Sequence, residues 1–491
     1  MSQPPSSTGP QVLRPVGDLE RFATAKHHLK YYTCVAVTAS YVVAEDTSNI
    51  EECFEEALAM TVLKHPSLCV GVANEHQHHA SFVRIESIDL SKHIDFRGRF
   101  SGHTESETDH SVEDLEEVLK NQHCQLWTEL DKRPPWKIII LPVHEDKLAF
   151  QVVFAYHHVV GDGISGVIFH QSLLEALNSR STIAQRSEHL LKLPDAIALL
   201  PPIEKLVDFS ITWAFLLKSI WNTYKNFWFR PLSTDTLPWA ANNVNEDQLG
   251  DCHHRVKIIT IPPEQLSIIL AKCREENATL TGLLHGIAVS LLGLRVPEAQ
   301  SFVVSTPISL RYLLNTRPTR DIAVQAGGFM TNYSQSQLTA IRVAQLDSIK
   351  TASNIWSIAR AFAAEIQSSL SARNNPIGLL RYIRNVFGYC EGSNSQSRGE
   401  TLTISNLGAF ETKSTGTWSI GKMVFSQPGM VFGAAFAINM VSINGGPLVI
   451  TTTWRQGVVD DDIVMDVEKG IDIMLNSIGN GAEGIALPVT D

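Results

Sequence analysis

Residues 154–166 read FAYHHVVGDGISG and carry two adjacent histidines, an aspartate and three glycines. Two chemistries fit this stretch. Gly161, Gly163 and Gly166 have the G-x-G-x-x-G spacing of a dinucleotide-binding turn, in which N–H groups at a helix N-terminus hold a pyrophosphate. His158, four residues before Asp162, instead suits acid–base work. A neutral imidazole with an ordinary pKa near ~6.5 can take and return a proton close to neutral pH.

The first reading leads to an NAD-dependent oxidoreductase. It requires a second strand ending in an acid about 20 residues beyond the turn. The segment that follows, RSTIAQRSEHLLKLPD, has neither an apolar run nor alternation. Asp162 would also place a negative charge where the pyrophosphate must sit. The acid–base reading is the stronger one. His27-His28, His78-His79 and His253-His254 are further histidine pairs, but none stands in a strand–turn–acid setting, so solvated or capping roles are expected for them.

The elements that must position His158 are legible nearby. WKIIILPV (Trp136–Val143) and KLAFQVVFAY (Lys147–Tyr156) read as the two strands of a hairpin across a short HED turn, and ISGVIFHQSLLEALNS (Ile164–Ser179) as a helix. Alternation along the second strand sends His157 and His158 to opposite sides. The glycines are expected to relieve backbone strain in the turn. Upstream, Thr33–Val43 reads as a strand and Asn49–Pro66 as an amphipathic helix; SGHTESETDHSVEDLEE (Ser101–Glu117) reads as an acidic loop running into a helix. Between about Asn178 and Asp251 the chain is irregular, which marks a crossover. Beyond it come the strand His254–Ile261, a helix from PPEQLSIILAKCREE, and a helix apolar nearly all round at Thr279–Leu294. Ser301–Arg311, Glu400–Phe410, Met430–Asn439 and Pro447–Trp454 read as strands. The expected class is α/β with mixed sheets: an N-terminal half over residues 1–200, a crossover over 201–250 and a C-terminal half over 251–491.

HHVVGDG matches the H-H-x-x-x-D-G signature, and the chain resembles the CoA-dependent acyltransferase superfamily, which includes chloramphenicol acetyltransferase and peptide-synthetase condensation domains. LRPVGDLERFATAKHHL (Leu13–Leu29) resembles the opening of the fungal alcohol acetyltransferases. STPISLR is similar to the strand carrying a structural arginine, and QAGGFMTNY (Gln325–Tyr333) to a condensation-domain stretch. ISNLG (Ile404–Gly408) and GGPLVITTTW (Gly445–Trp454) also look like alcohol acetyltransferase elements. The D-F-G-W-G motif of the plant enzymes is absent, which argues against that branch.

The resemblance implies two chloramphenicol-acetyltransferase-like domains forming a pseudo-dimer around a central tunnel, with His158 at its midpoint. Acyl-CoA, most simply acetyl-CoA, would be the co-substrate, and a small or medium lipophilic alcohol, such as a secondary metabolite, the acceptor. His158 would act as general base. His157 and Gly163 would shape the site, and Asp162 would pair with Arg311, with Arg14 in reserve, and not with the histidine. Ser405 or Asn406 would supply an oxyanion donor or bind substrate, a plain turn role being equally open for both. No Ser or Cys stands in a nucleophile elbow, which agrees with direct transfer. A carrier-bound donor, an amine acceptor and a non-catalytic binding module on the same fold remain alternatives.

Composition sets further bounds. The net charge is −11 and no Lys/Arg block occurs, so no nucleic-acid partner is expected. Seven cysteines without a C-x-x-C indicate neither a disulfide framework nor a zinc knuckle, and no metal or resident cofactor is expected. The polar amino terminus lacks an apolar signal core, so a cytoplasmic location is expected, and the resemblance implies a monomer. Phe209–Phe229 carries three tryptophans but also Lys218 and Lys225, too polar to span a bilayer. It reads as a helix packed on the protein itself, with peripheral contact to endoplasmic-reticulum or lipid-droplet membrane as the second option.

Overall fold

The structure, a computed structural model, describes residues 10–482 and 484 apart from 45–48, 98–110, 144–147, 180–185, 229–237, 251, 315–319, 371–372, 374, 396–397 and 413–415. The polar amino terminus, the acidic 101–110 stretch and the HED turn lie outside these residues.

Two large mixed sheets organise the chain. The first has five strands in the order Trp418–Ser426, Val35–Val43, Ala149–Tyr156, Trp136–Pro142 and Ile94–Phe96. All neighbours are antiparallel except the last pair. The central strand Ala149–Tyr156 is buried along almost its whole length, which is why it is apolar apart from Gln151 and shows no polar–apolar alternation. The second sheet has six strands in the order His254–Ile261, Leu448–Arg455, Phe436–Ile443, Leu402–Phe410, Phe302–Ser309 and Ala326–Tyr333. Each sheet supports its own apolar core. One contains Phe154, Phe169 and Trp136, and the other Phe302, Trp454 and the inner face of the Leu280–Arg295 helix.

The two halves are interlocked, because the edge strand Trp418–Ser426 comes from the C-terminal half and pairs with Val35–Val43 of the N-terminal sheet. The sequence pattern does not announce this strand, which Gly421 and Lys422 interrupt. The register duly shifts between Ile420 and Lys422. Nor does it announce the helix Ser348–Ser369 or the strand Ala326–Tyr333. The strand expected at Met430–Asn439 lies instead at Phe436–Ile443.

Among the described residues no second parallel strand follows the glycine turn. The helix Gly163–Leu177 leads to two short antiparallel strands, Arg186–Ser187 and Leu190–Lys192. The dinucleotide-binding reading therefore fails on topology.

Burial of many histidines has a consequence for acid stability. Burial lowers the pKa of His65, His93 and His170 from 6.5 to about 4 and that of His123 and His285 to about 3. As the pH falls below 6.5, the unfolded chain binds protons that the folded chain refuses. Stability then drops by up to about 1.4 kcal/mol per pH unit for each such histidine. Urea unfolding followed between pH 7 and 5 should show a steeply falling midpoint; a flat profile would contradict the burial of neutral histidines.

Candidate active site

His157 and His158 leave the end of the central strand, and the turn after them feeds the Gly163–Leu177 helix. Asp162 is the N-cap of that helix: its Oδ1 accepts hydrogen bonds from the Ser165 N–H and hydroxyl, each at 3.0 Å. Its Oδ2 accepts from the Arg311 guanidinium at 2.7 Å and from the Gln325 N–H at 3.0 Å. The pair is buried, with side-chain exposures of 4% for Asp162 and 10% for Arg311. Burial alone would raise the Asp162 pKa, but the Arg311 charge and these hydrogen bonds outweigh it and hold the carboxyl below its ordinary value. Arg14 is engaged elsewhere, in a two-pronged pair with Glu20 at 2.7 and 2.8 Å.

The glycines of the turn serve a different purpose from the one expected. Neither Gly161 nor Gly163 has a positive φ. A Cβ on Gly163 would lie 2.6 Å from Leu407 Cδ2 and 3.2 Å from the Phe425 ring, so the absence of a side chain lets the helix start press against the opposite wall.

His158 lines a cavity of ≈330 Å³ with Tyr32, Gly163, Thr306, Ser309, Ser405, Asn406 and Gln427 among its neighbours. Its ring lies 5.4 Å from that of Tyr32. The Nδ1 atom is buried without a well-formed hydrogen bond, which leaves Nε2 as the nitrogen able to meet a substrate. Burial lowers the His158 pKa below 6.5, against the opposing pull of its own carbonyl, the Asp162 carboxylate and the Gly161 carbonyl. The ring is thus a neutral base at physiological pH.

The cavity exists because two strands part. Phe302–Ser309 and Leu402–Phe410 run parallel and pair only at Val304 with Leu402 and Ser305 with Thr403. Thr306–Ser309 and Ser405–Gly408, just beyond, line the opening. Gly408, at φ +89°, sits in the register shift between Asn406 and Ala409, a bulge that an L side chain would strain. Here the two oxyanion candidates separate. Asn406 donates to Thr281 Oγ1 at 3.0 Å and accepts from the Gly408 N–H at 2.8 Å, so it shapes the bulge. Ser405 lines the cavity, and its hydroxyl has no partner among the described residues.

His157 faces the other way, into a cluster that the sequence pattern does not reveal. Its Nε2 donates to Glu75 Oε1 at 2.9 Å, and His27 Nδ1 donates to the same oxygen at 2.8 Å. Backbone N–H groups dictate both tautomers. Val159 N–H donates to His157 Nδ1 at 2.8 Å, and Trp127 N–H to His27 Nε2 at 3.0 Å. The ring protons must therefore lie on the nitrogens facing Glu75, which suits a carboxylate and opposes a metal ion there. Burial alone would raise the Glu75 pKa, yet the two histidines hold it at about 2. His27 is accordingly no solvated histidine. His254, also expected to be solvated, is buried too, and its Nδ1 accepts from the Gly429 N–H at 3.1 Å. It comes within 4.8 Å of Cys124 and Cys252, which are far apart in sequence.

Removing Glu75 would leave two buried N–H donors unmatched, each costing about 1–3 kcal/mol. Glu75→Ala should therefore lower the denaturation midpoint and slacken the histidine turn, with kcat falling too. Glu75→Gln, which keeps an accepting oxygen, should retain more of both. Equal stability of Glu75→Ala and the parent chain would remove the clamp from the account.

Residues 15–468 match the family model of the alcohol acetyltransferases. A probable alcohol acetyltransferase of Fusarium pseudograminearum is 26% identical, with 96% of each chain covered. The Saccharomyces cerevisiae alcohol O-acetyltransferase 1 is 22% identical over 65% of this chain and 64% of its own. Among solved structures, the trichothecene 15-O-acetyltransferase of Fusarium sporotrichioides superimposes with a TM-score of 0.66 at 15% identity, covering 95% of this chain and 94% of that one. A condensation domain of the CDA synthetase follows the same fold at a TM-score of 0.60 and 12% identity, covering 97% of this chain and 99% of its own. With nearly the whole chain accounted for, the protein is an acyltransferase and belongs to the alcohol acetyltransferase family.

Proposed function

We propose that this chain transfers an acetyl group directly from acetyl-CoA to the hydroxyl of a small or medium lipophilic alcohol, with His158 as the general base. The observation that carries the reading is a neutral imidazole facing a cavity between two lobes while its neighbouring aspartate is committed to Arg311. Family membership implies acyl-CoA and an alcohol as substrates. The alcohol O–H gives its proton to Nε2 of His158 as the oxygen attacks the thioester carbonyl. The tetrahedral oxyanion needs a donor, and the Ser405 hydroxyl, which lines the cavity, is a candidate. Collapse breaks the C–S bond, and the imidazolium returns its proton to the departing thiolate, whose conjugate acid has a pKa near ~8.5 if cysteine is taken as the guide. No covalent acyl-enzyme is needed. The named activity of the trichothecene enzyme on the same fold supports a secondary metabolite as acceptor.

His158→Ala should lower acyl transfer by about 10² to 10⁴ without changing the melting temperature. In the parent enzyme, kcat/KM should fall toward acid with an apparent pKa below 6.5, because the base must be neutral. Thiol release from acetyl-CoA with a panel of alcohols reads both. Undiminished turnover by His158→Ala would dismiss the base. Transfer confined to amines, or to carrier-bound acyl groups, would redirect the substrate class.

We further propose that the enzyme works on the cytoplasmic face of a membrane such as the endoplasmic reticulum or lipid droplet. Among the described residues no single helix is long and apolar enough to cross a bilayer. The helix Trp213–Trp228, however, exposes Trp213 (79%), Leu217 (62%) and Trp221 (57%), one four-residue stripe, beside exposed Lys218. Aromatic rings flanked by lysine suit the headgroup boundary. The protein should sediment with vesicles containing anionic lipid, and replacing the three residues with serine should release it while leaving transfer to a water-soluble alcohol unchanged. Equal sedimentation of both would exclude this helix as the contact.

A further inference from the structure

Behind the C-terminal wall of the cavity, and not among its lining residues, lies a second histidine. His285, on the helix Leu280–Arg295, is fully buried and stacks on Phe362 with ring centroids 4.1 Å apart. Its Nδ1 lies 2.8 Å from the Tyr333 hydroxyl and its Nε2 2.9 Å from Thr306 Oγ1. Tyr333 and Thr306 are themselves only 2% and 3% exposed.

Proton accounting orients this chain. The Tyr333 hydroxyl has no other partner among the described residues, so its buried O–H must donate to His285 Nδ1. A neutral imidazole accepting at Nδ1 carries its proton on Nε2, so Nε2–H donates to Thr306 Oγ1. Burial keeps the ring neutral through the physiological range. Thr306 Oγ1 then has an accepted bond from the protein and an O–H with no acceptor among the described residues, while the residue lines the cavity.

We infer that Tyr333 and His285 hold the Thr306 hydroxyl as a fixed hydrogen-bond donor for a carbonyl oxygen of the acyl-CoA substrate. This rests on the acyl-transfer reading above. Of the two substrates, the thioester is the one certain to bring carbonyl acceptors, in the acyl group and in the amides of its pantetheine arm. The alcohol's defining hydroxyl is taken by His158. In this arrangement Thr306 would touch substrate, while His285 and Tyr333 would be positioning residues acting through it.

Steady-state kinetics of the full-length enzyme test the chain. Thr306→Val, equal in shape but without the hydroxyl, should raise KM for acetyl-CoA about tenfold with KM for the alcohol unchanged. Thr306→Ser should restore most of it. Tyr333→Phe should act on the same KM, and the double variant Thr306→Val with Tyr333→Phe should be no worse than Thr306→Val alone. His158→Ala, assayed alongside, separates the two failures. If His158→Ala turns over normally, the reading of the reaction falls. If His158→Ala is inactive while Thr306→Val keeps the parent KM for acetyl-CoA, this inference alone falls. A rise in alcohol KM instead, multiplicative effects in the double variant, or a lower melting temperature and kcat without a change in acetyl-CoA KM would each overturn it.

Discussion

The Asp162–Arg311 pair is the constraint on which the site depends. Asp162 caps a helix of the N-terminal half, and its remaining oxygen is taken by Arg311 and the Gln325 N–H of the C-terminal half. One carboxylate thus sets the helix start, shapes the histidine turn and ties the two lobes at the cavity. Because the pair is buried, its net stabilisation against an apolar replacement is small, whereas losing one partner strands a charge and costs about 3–5 kcal/mol. It adds to the pairing of Trp418–Ser426 with Val35–Val43 a second link between the halves. It also commits the carboxylate oxygens to Arg311, Gln325 and Ser165 and not to the His158 ring.

Around that tie, each neighbour of the turn limits its freedom. Tyr156 donates its hydroxyl to the Asp162 carbonyl at 2.5 Å, from the strand that delivers the histidines. His157 is fastened through Glu75 to His27, on the helix Asp18–His28. The Trp418–Ser426 strand brings Phe425 against Gly163, so one wall of the cavity is built by a C-terminal strand in an N-terminal sheet. The His158 ring, proposed as the base, can therefore be held in place without a well-formed hydrogen bond at its own Nδ1. This matters for turnover, since a base held within reach of its proton avoids reorganisation in the transition state.

Local features of the site were legible in the sequence, and distant ones were not. The strand, turn and helix around HHVVGDG lie within one continuous stretch whose pattern is set by its own residues, and the same holds for the strand that leads to Arg311. Glu75 is 82 residues from His157 and sits among polar neighbours, so nothing in its surroundings distinguishes it from a surface acid. The histidine pair at His27-His28 looked solvated for the same reason. Thr306, His285 and Tyr333 lie on three separate elements, and only the packed sheet brings them together. The need for glycine at position 163 is close approach to Leu407 and Phe425, which no local pattern can supply.

Direct transfer by a single base is the central claim, and it forbids chemistry in the absence of acceptor. Mixing the enzyme with a stoichiometric amount of acetyl-CoA, with no alcohol present, and following intact mass together with free thiol tests it most directly. The account predicts no acetyl adduct and no prompt thiol release until alcohol is added, when thiol and ester appear together. A burst of one thiol per enzyme, with one acetyl group gained in mass before any alcohol is present, would contradict it.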